Sequence, residues 1–557
     1  MMKSNWITYF EKSGLIGSPR YEESMAYFRQ FENTTPYAKM FSIGLSPQGR
    51  SIECLVISSK KEFTPQKAKR SGKAVVLIQN GIHSGEIEGK DSSMLLLRDI
   101  LMTKEKFHLL DHVILLVIPI LNVDGHERIS KFNRPNQNGP EEMGWRTNSL
   151  NLNLNRDYMK ADTPEVRAFL SLFNTWLPDF FIDNHTTNGA DYQYNITYAL
   201  EKCGNIDAGL SKWGTKQFLP SILKEVEEKG FLTAPYIEMR KERLEDGIID
   251  PPASPRLSTG YTAVQNRLGL LVETHSLKPF ENRVRSTFAM NVAALEFLNK
   301  HSKSIKLLNK KADAASSKIK TLPVKFELTE NYKSFFFKGY ESFDEESPIT
   351  GAGVVRYTKT KTEFELPFFD DVQEVKTIQV PKAYIIPKEF VHFISILKIH
   401  GIEVNQLPQQ KEITVEQYEF WESKFWNRPY EGRYCVDVKC RVIKTRKQFP
   451  KGTFFVPTDQ RTRRVIVNLL EPEAPDSFVS WGFFNAYFER KEYAEAYVME
   501  PIAQKMLESD ESLQQEFQMS LEDQVFRNDP HARLEFFYWR SPYFDTNEKK
   551  YPIYRMV

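Results

Sequence analysis

Ala74-Val-Val-Leu-Ile-Gln-Asn-Gly-Ile-His-Ser-Gly-Glu86 is the stretch that decides the fold class. Its first six residues are apolar and β-branched, bounded before by Gly72-Lys73 and after by Asn80-Gly81. A short run of this kind reads as a fully buried strand ending in a turn. From residue 86 to 102 the spacing becomes helical, with Met94, Leu95, Leu97 and Leu101 on one side. The pattern recurs outward along the chain. Buried strands are expected at 113–120, 180–183 and 268–272. Pro164 in the first helical position, followed by Glu165, opens a helix to residue 172, and a longer helix is expected at 288–299. Strands interleaved with helices in this way predict an α/β fold with a largely parallel sheet flanked by helices.

Near His301 the texture changes. Residues 301–320 are rich in Lys, Ser and Ala and read as a solvated helix or linker. From 321 to about 447 polar and apolar residues alternate, which predicts a β-rich domain. Residues 448–557 return to mixed signals, with a helix expected at 478–489, and form a mixed C-terminal region. The expected division is therefore 1–300, 301–320, 321–447 and 448–557.

Composition narrows the function classes. Lys and Arg number 75 against 73 Asp and Glu, so no bulk field is present to recruit nucleic acid. Hydrophobic residues at 41% exclude wholesale disorder. The longest apolar run, 113–121, is far short of the ~20 residues that span a bilayer, so no transmembrane segment is expected. The opening residues Met-Met-Lys-Ser-Asn-Trp-Ile lack an apolar leader region. A cytoplasmic chain is expected as written, and a periplasmic or secreted one if a leader was removed. Cys435 and Cys440 fall five apart in an alternating segment, hence on opposite faces, and all four cysteines read as isolated thiols.

Chemistry concentrates on few residues. His83 and Glu86 share a strand-to-helix turn, where an imidazole and a carboxylate converge on one point. Alone, this spacing also suits a solvated turn. His185 closes a second apolar strand in Phe180-Phe-Ile-Asp-Asn-His185, and open α/β sheets place their sites at the carboxyl ends of parallel strands. Two imidazoles and a carboxylate with one open position make a catalytic zinc set. Glu273 closes a third apolar strand in Gly269-Leu-Leu-Val-Glu273, where a charge is costly unless it faces a cleft or a partner. Trp145-Arg146, Asn155-Arg156 and the turn Asn122-Val-Asp-Gly125 lie between them.

Taken in order, His83-x-x-Glu86, the Asn-Val-Asp-Gly turn, Trp145-Arg146, Asn155-Arg156, His185 and Glu273 resemble the zinc carboxypeptidases, or funnelins, over roughly residues 20 to 300. The tail resembles that of the long bacterial members. The resemblance implies an eight-stranded mixed sheet flanked by helices, and one Zn2+ per chain bound by His83, Glu86 and His185. It makes Glu273 the general base, Arg146 the group that polarises the scissile carbonyl, and Asn155 with Arg156 the clamp on a peptide's free C-terminal carboxylate. The family's substrate-covering tyrosine has no clear counterpart. Tyr261, twelve residues before Glu273, and Arg256 in the same loop are the candidates for substrate contact. His275, two residues beyond Glu273, reads as a wall residue and not as a ligand.

The expected activity is removal of C-terminal residues from peptides. An alternative keeps the metal and changes the substrate, as a zinc amidase or deacylase acting on peptidoglycan stem peptides or, like the related aspartoacylases, on N-acyl amino acids. A non-catalytic peptide-binding protein is disfavoured by the intact ligand set and Glu273. Neither the preferred side chain nor the oligomeric state is legible.

Overall fold

The computed structural model describes residues 6–187 and 189–557; the opening residues 1–5, read above for a leader, lie outside them. Ten strands belong to the first 280 residues. They are β1 (Ala38–Leu45), β2 (Ser51–Ile57), β3 (Ala74–Gln79), β4 (Val113–Ile118), β5 (Phe180–Thr187), β6 (Ile196–Leu200), β7 (Thr233–Pro235), β8 (Glu238–Met239), β9 (Ile248–Ile249) and β10 (Leu268–His275). Eight of them form one mixed sheet in the order β1-β2-β4-β3-β5-β10-β6-β7. Its centre, β4-β3-β5-β10, is parallel; β2 pairs antiparallel with β1 and β4, β6 pairs antiparallel with β10, and β7 runs parallel to β6. Every residue of β3, β4 and β5 is buried, which is why these strands read as unbroken apolar runs.

The helices pack as the α/β reading requires. Phe280–Lys300 lies against Glu88–Leu101 and Leu219–Glu228, while Ser258–Val264 covers β5 and β10. The helix Glu88–Leu101 lies within the expected 86–102, the helix Phe280–Lys300 starts eight residues before the expected 288, and β5 and β10 run past their apolar residues to include His185 and Glu273. The extension is made by backbone pairing, since Glu273 sits opposite His185 in the β5/β10 ladder.

Beyond residue 300 the expected divisions are corrected. Residues 301–320 are no linker: Ser302–Ser316 is a helix with Ile305 and Ala312 buried, and Asn309 donates to the Asp179 carbonyl at 2.9 Å. The boundary at 447/448 also fails. A six-stranded antiparallel sheet runs in the order Asn405–Gln406, Phe454–Pro457, Ala383–Ile386, Lys550–Met556, Lys411–Phe425, Val436–Phe449, so the last strand of the chain lies inside it. There, buried Glu471 accepts from Tyr418 Oη at 2.6 Å and meets Arg555 of that last strand at 3.1 Å. The long hairpin Lys333–Glu346/Gly353–Phe369 pairs with β9 of the first unit. One apolar cluster runs from Phe28 through β3 and β5 to Tyr384, Phe393, Phe478 and Ile553.

The helix expected at 478–489 is instead a chain of turns with a 3-10 turn at Asn485–Phe488. Phe478, Val479, Trp481 and Phe484 are all buried, so the segment has no polar face for a surface helix to present. Gly482 adopts φ +74, where a Cβ would sit 2.3 Å from the Tyr434 carbonyl oxygen. All four cysteines are free, as expected. No helix among the described residues is long and apolar enough to cross a membrane.

Because the last strand is internal to the distal sheet, Ile553→Ala should destabilise the fold by about 2–5 kcal/mol. Denaturant unfolding at constant m-value measures this; a loss under about 0.5 kcal/mol would place the tail outside the cooperative unit.

Candidate metal centre

The parallel centre of the sheet brings the carboxyl ends of β3, β5 and β10 to one edge, and the expected ligands meet there. The donor atoms of His83, Glu86 and His185 all lie within 4.8 Å of one another, and all three residues are buried. Glu86 Oε2 lies 3.2 Å from His83 Nδ1 and 2.9 Å from His185 Nδ1. The far nitrogen of each ring is also held: His83 Nε2 is 3.0 Å from Asn153 Oδ1, and His185 Nε2 is 2.8 Å from Asp183 Oδ2. Both partners are acceptors, so with a cation bound each Nε2 would carry the proton and each Nδ1 would turn its lone pair to the shared point. Two imidazole nitrogens and a carboxylate oxygen with anchored far sides fit zinc and not magnesium or calcium.

The charges agree with this arrangement. Burial, with Arg146 in support and Glu86 opposing, pushes the His83 imidazole down to about 4, so it is neutral at pH 7. Burial would raise Glu86, but the neighbouring His83 and Arg134 and the hydrogen bond with His185 hold it well below the usual range. His185 moves the other way: burial is outweighed by Asp183 and Glu86, and its proton is held more tightly than in water. A cation bound here would displace that proton.

Local sequence explains the rigidity of the cradle. Asn122 caps the short helix Val123–Glu127 and donates from Nδ2 to the Arg146 carbonyl at 3.2 Å, while the Trp145 N–H donates to the Gly125 carbonyl at 2.8 Å. The Asn-Val-Asp-Gly turn therefore aims Arg146 at the site. Its Nη1 lies 3.3 Å from both Glu86 Oε1 and His83 Nδ1. Asp124 fastens the turn from below, accepting from Ser46, Arg50 and Ser149 at 2.7 Å each. Gly144 passes so close to the His83 turn that a Cβ would stand 2.6 Å from the Ser84 carbonyl oxygen.

Glu273 lines the same cleft, about 430 Å³ in volume, with His83, Glu86, Arg134, Arg146, Thr186 and Tyr236. Its Oε2 makes no hydrogen bond among the described residues. Burial pushes its carboxyl up to about 8, opposed by His185 and reinforced by Glu86 and Asp183. His275 is fully buried behind the cleft, stacked on Tyr192 with ring centres 3.9 Å apart.

Asn155 and Arg156 do not line this cleft. Both lie on the turn after Asn153, where Asn155 Oδ1 accepts from the Ser258 N–H at 2.9 Å and Arg156 reaches Tyr430 of the distal region. The two candidates for substrate contact, Tyr261 and Arg256, are corrected. Tyr261 is fully buried, its hydroxyl taken by His400 Nδ1 at 3.1 Å and Gln265 Nε2 at 2.7 Å. It lies on the helix Ser258–Val264 packed on the sheet, so its ring belongs to the core. Arg256 is locked to Asp476 by Nε at 2.5 Å and to the Pro475 carbonyl by Nη2 at 2.8 Å.

Four residues escaped the sequence reading. Asp183 was detectable, because Asp-x-His in a strand puts both side chains on one face. Asn153, Arg134 and Tyr236 carried no local signal. Arg134 Nη1 contacts Glu86 Oε1 at 2.9 Å because Gly85 leaves room: a Cβ there would lie 2.2 Å from Arg134 Cδ. Tyr236, half-buried in the cleft and hydrogen-bonded to Thr187, has its phenol pushed up to about 12 by burial and by Glu273.

The fold and the site have the make-up that a metal-dependent hydrolase of the α/β class would need. Residues 24–202 match the zinc carboxypeptidase family, a span that includes both histidines, Glu86, Arg146, Asn155 and Arg156 but not Glu273. Carboxypeptidase 2 of Trichophyton rubrum is 23% identical over 492 residues, covering 84% of this chain and 85% of that protein. Carboxypeptidase 2 of Trichophyton tonsurans is 25% identical over 497 residues with the same coverage. A solved metallo-carboxypeptidase from Burkholderia cenocepacia, 19% identical, covers 50% of this chain and 70% of that one at a TM-score of 0.38. Residues 24–202 thus resemble a zinc carboxypeptidase domain, and the relatives that match most of the chain's length are carboxypeptidases.

If Asn153 fixes the His83 ring, Asn153→Ala should weaken zinc affinity about 10–100-fold without unfolding the chain. Competition with a chromophoric chelator reads this; unchanged affinity would assign Asn153 to the loop alone.

Proposed function

We propose that the protein is an exopeptidase that hydrolyses the C-terminal peptide bond of peptides, with one zinc held by His83, Glu86 and His185, Glu273 as general base, Arg146 as oxyanion donor and Arg156 as carboxylate clamp. The observation that carries it is the convergence of two Nδ1 atoms and a carboxylate within 4.8 Å beside Glu273 in one cleft. A zinc ion held there supplies Lewis acidity, making water nucleophilic at neutral pH and polarising a carbonyl.

The protein's own groups do the rest. Glu273 projects from the same sheet edge as His185, its register partner, so it reaches the space over the ligand set. Its unpartnered oxygen can take the proton of the attacking water and pass it to the leaving amine. Arg146, partly exposed at the cleft, brings a guanidinium to the oxygen that gains charge in the tetrahedral state. Arg134 keeps a second positive charge on Glu86, and Tyr236, which lines the same cleft as Glu273, offers a hydroxyl to it. Arg156 presents a planar fork suited to a terminal carboxylate, which a lysine would not reproduce.

Two outcomes follow. Glu273→Gln keeps the shape but cannot accept a proton, so turnover should fall at least ~10²-fold while zinc content stays at one per chain. Turnover within a few-fold of the parent would place the base elsewhere. A good peptide substrate capped as its C-terminal amide should be cleaved poorly, and all cleavage should stop with chelator. Equal cleavage of acid and amide forms would replace this reading with the endopeptidase or amidase one.

A further inference from the structure

The distal region has so far no part in the chemistry, yet one of its turns sits on the segment that carries Asn155 and Arg156. The turn 430–433 connects the strands Lys411–Phe425 and Val436–Phe449 and is closed by reciprocal backbone hydrogen bonds between Tyr430 and Arg433. Three contacts join it to the catalytic half. Arg433 makes a bidentate ion pair with Asp162, Nε and Nη2 each at 2.8 Å. Glu431 Oε2 accepts from the Asn153 N–H at 2.8 Å, and Asn153 is the residue that holds His83. Arg156 Nε donates to the Tyr430 hydroxyl at 3.0 Å.

The third contact is built to last. The Tyr430 ring stacks on buried Trp481 with centres 5.8 Å apart and planes at 13°. Arg256, fixed by Asp476, lies over Trp481 at 4.7 Å and over Tyr430 at 5.9 Å. Arg256 therefore supports the phenol that meets Arg156, which explains why a conspicuous arginine near the site has no freedom to touch substrate. On its inner side Arg156 donates from Nη1 to the Asn155 carbonyl at 2.6 Å. Nε and one Nη1 hydrogen are thus engaged, while Nη2 makes no hydrogen bond or ion pair among the described residues. A guanidinium pinned in this way offers its Nη1/Nη2 end to a carboxylate and withholds its Nε side. The Tyr430 oxygen accepts from Arg156 and keeps its own proton to donate.

We propose that the turn 430–433 completes the carboxylate-recognition site, with Tyr430 as a positioning residue that holds Arg156 by Nε and presents the free end of its fork to the substrate's terminal carboxylate. The inference rests on the reading of Arg156 as the clamp. An arginine side chain left loose loses rotamer entropy at the moment of binding; one held in advance has already lost it, which favours the bound complex. On this account the distal region is part of the active site and not an appended module.

Tyr430→Phe tests it in the full-length zinc enzyme, because the ring and its stack on Trp481 remain and only the hydroxyl is removed. With one peptide in acid and amide forms, kcat/KM for the acid should drop about ten-fold or more, mainly through KM, with the amide unchanged and the melting temperature preserved. Arg156→Ala should abolish the acid preference, and adding Tyr430→Phe to it should cost nothing further. Two results overturn the proposal: Tyr430→Phe with the parent's acid-to-amide ratio while Arg156→Ala loses it, or effects that multiply in the double variant. A retained acid preference in Arg156→Ala is a separate failure, of the clamp reading itself, and removes the proposal with it.

Discussion

The parallel pairing of β5 with β10, and of β5 with β3, is the constraint on which the site depends. Parallel strands end on the same edge, so three chain segments far apart in sequence deliver His83, His185 and Glu273 to one place. The pairing also settles which faces the side chains occupy. Asp183 and His185, two apart on β5, share a face with Glu273, and Gln79 at the end of β3 donates to Asp183 at 2.8 Å. A slip of one residue between β5 and β10 would turn Glu273 away from His185 and bury it against the opposite layer. The long buried apolar runs of β3, β4 and β5 resist that slip, because every residue in them is packed on both sides.

Around that edge, polar groups are arranged so that burying charge is tolerable. His83, Glu86 and His185 lie buried within 4.8 Å of one another and are paired, while the buried Glu273 beside them leaves its Oε2 without a partner among the described residues. Buried polar atoms are normally satisfied, so an unsatisfied one in a cleft is where substrate or water is expected to act. The second layer of partners, Asn153, Asp183, Arg134 and Asn122, holds rings and loops in one orientation, which is the requirement for donor atoms that must converge to a few tenths of an ångström.

The distal region enters the same scheme through packing. Its six-stranded sheet is closed by the last strand of the chain, and the buried group of Glu471, Tyr418 and Arg555 ties that strand to its neighbours. The apolar cluster is continuous with that of the catalytic half, so the hairpin turn bearing Tyr430 is held against Asn153 and Arg156 by a shared core and the Arg433–Asp162 pair. A rigid mount of this kind lets a remote segment touch a functional turn with defined geometry.

The sequence by itself determined the elements and the chemistry of the ligand set. Each central strand announced itself as an apolar β-branched run between turn residues, because burial on both faces leaves no polar position to confuse the pattern. That His83, Glu86, His185 and Glu273 would fall near one another was legible because each follows such a run closely or ends it, and residues at strand ends inherit the sheet's geometry. What the tertiary structure decided was everything that depends on contacts between distant segments. Tyr261 reads as a candidate by distance along the chain, yet its helix turns it into the core against His400. Arg256 reads as a substrate contact, yet Asp476, far along the chain, claims it. The expected linker at 301–320 and the boundary near 447 reflect composition, which reports solvent exposure of single residues but not which strand a sheet will recruit. Asn153, Arg134 and Tyr430 had no local signature at all, since a hydrogen bond across the fold leaves no periodicity in the chain. Local pattern encodes burial and conformation; partnership is set only when the layers close.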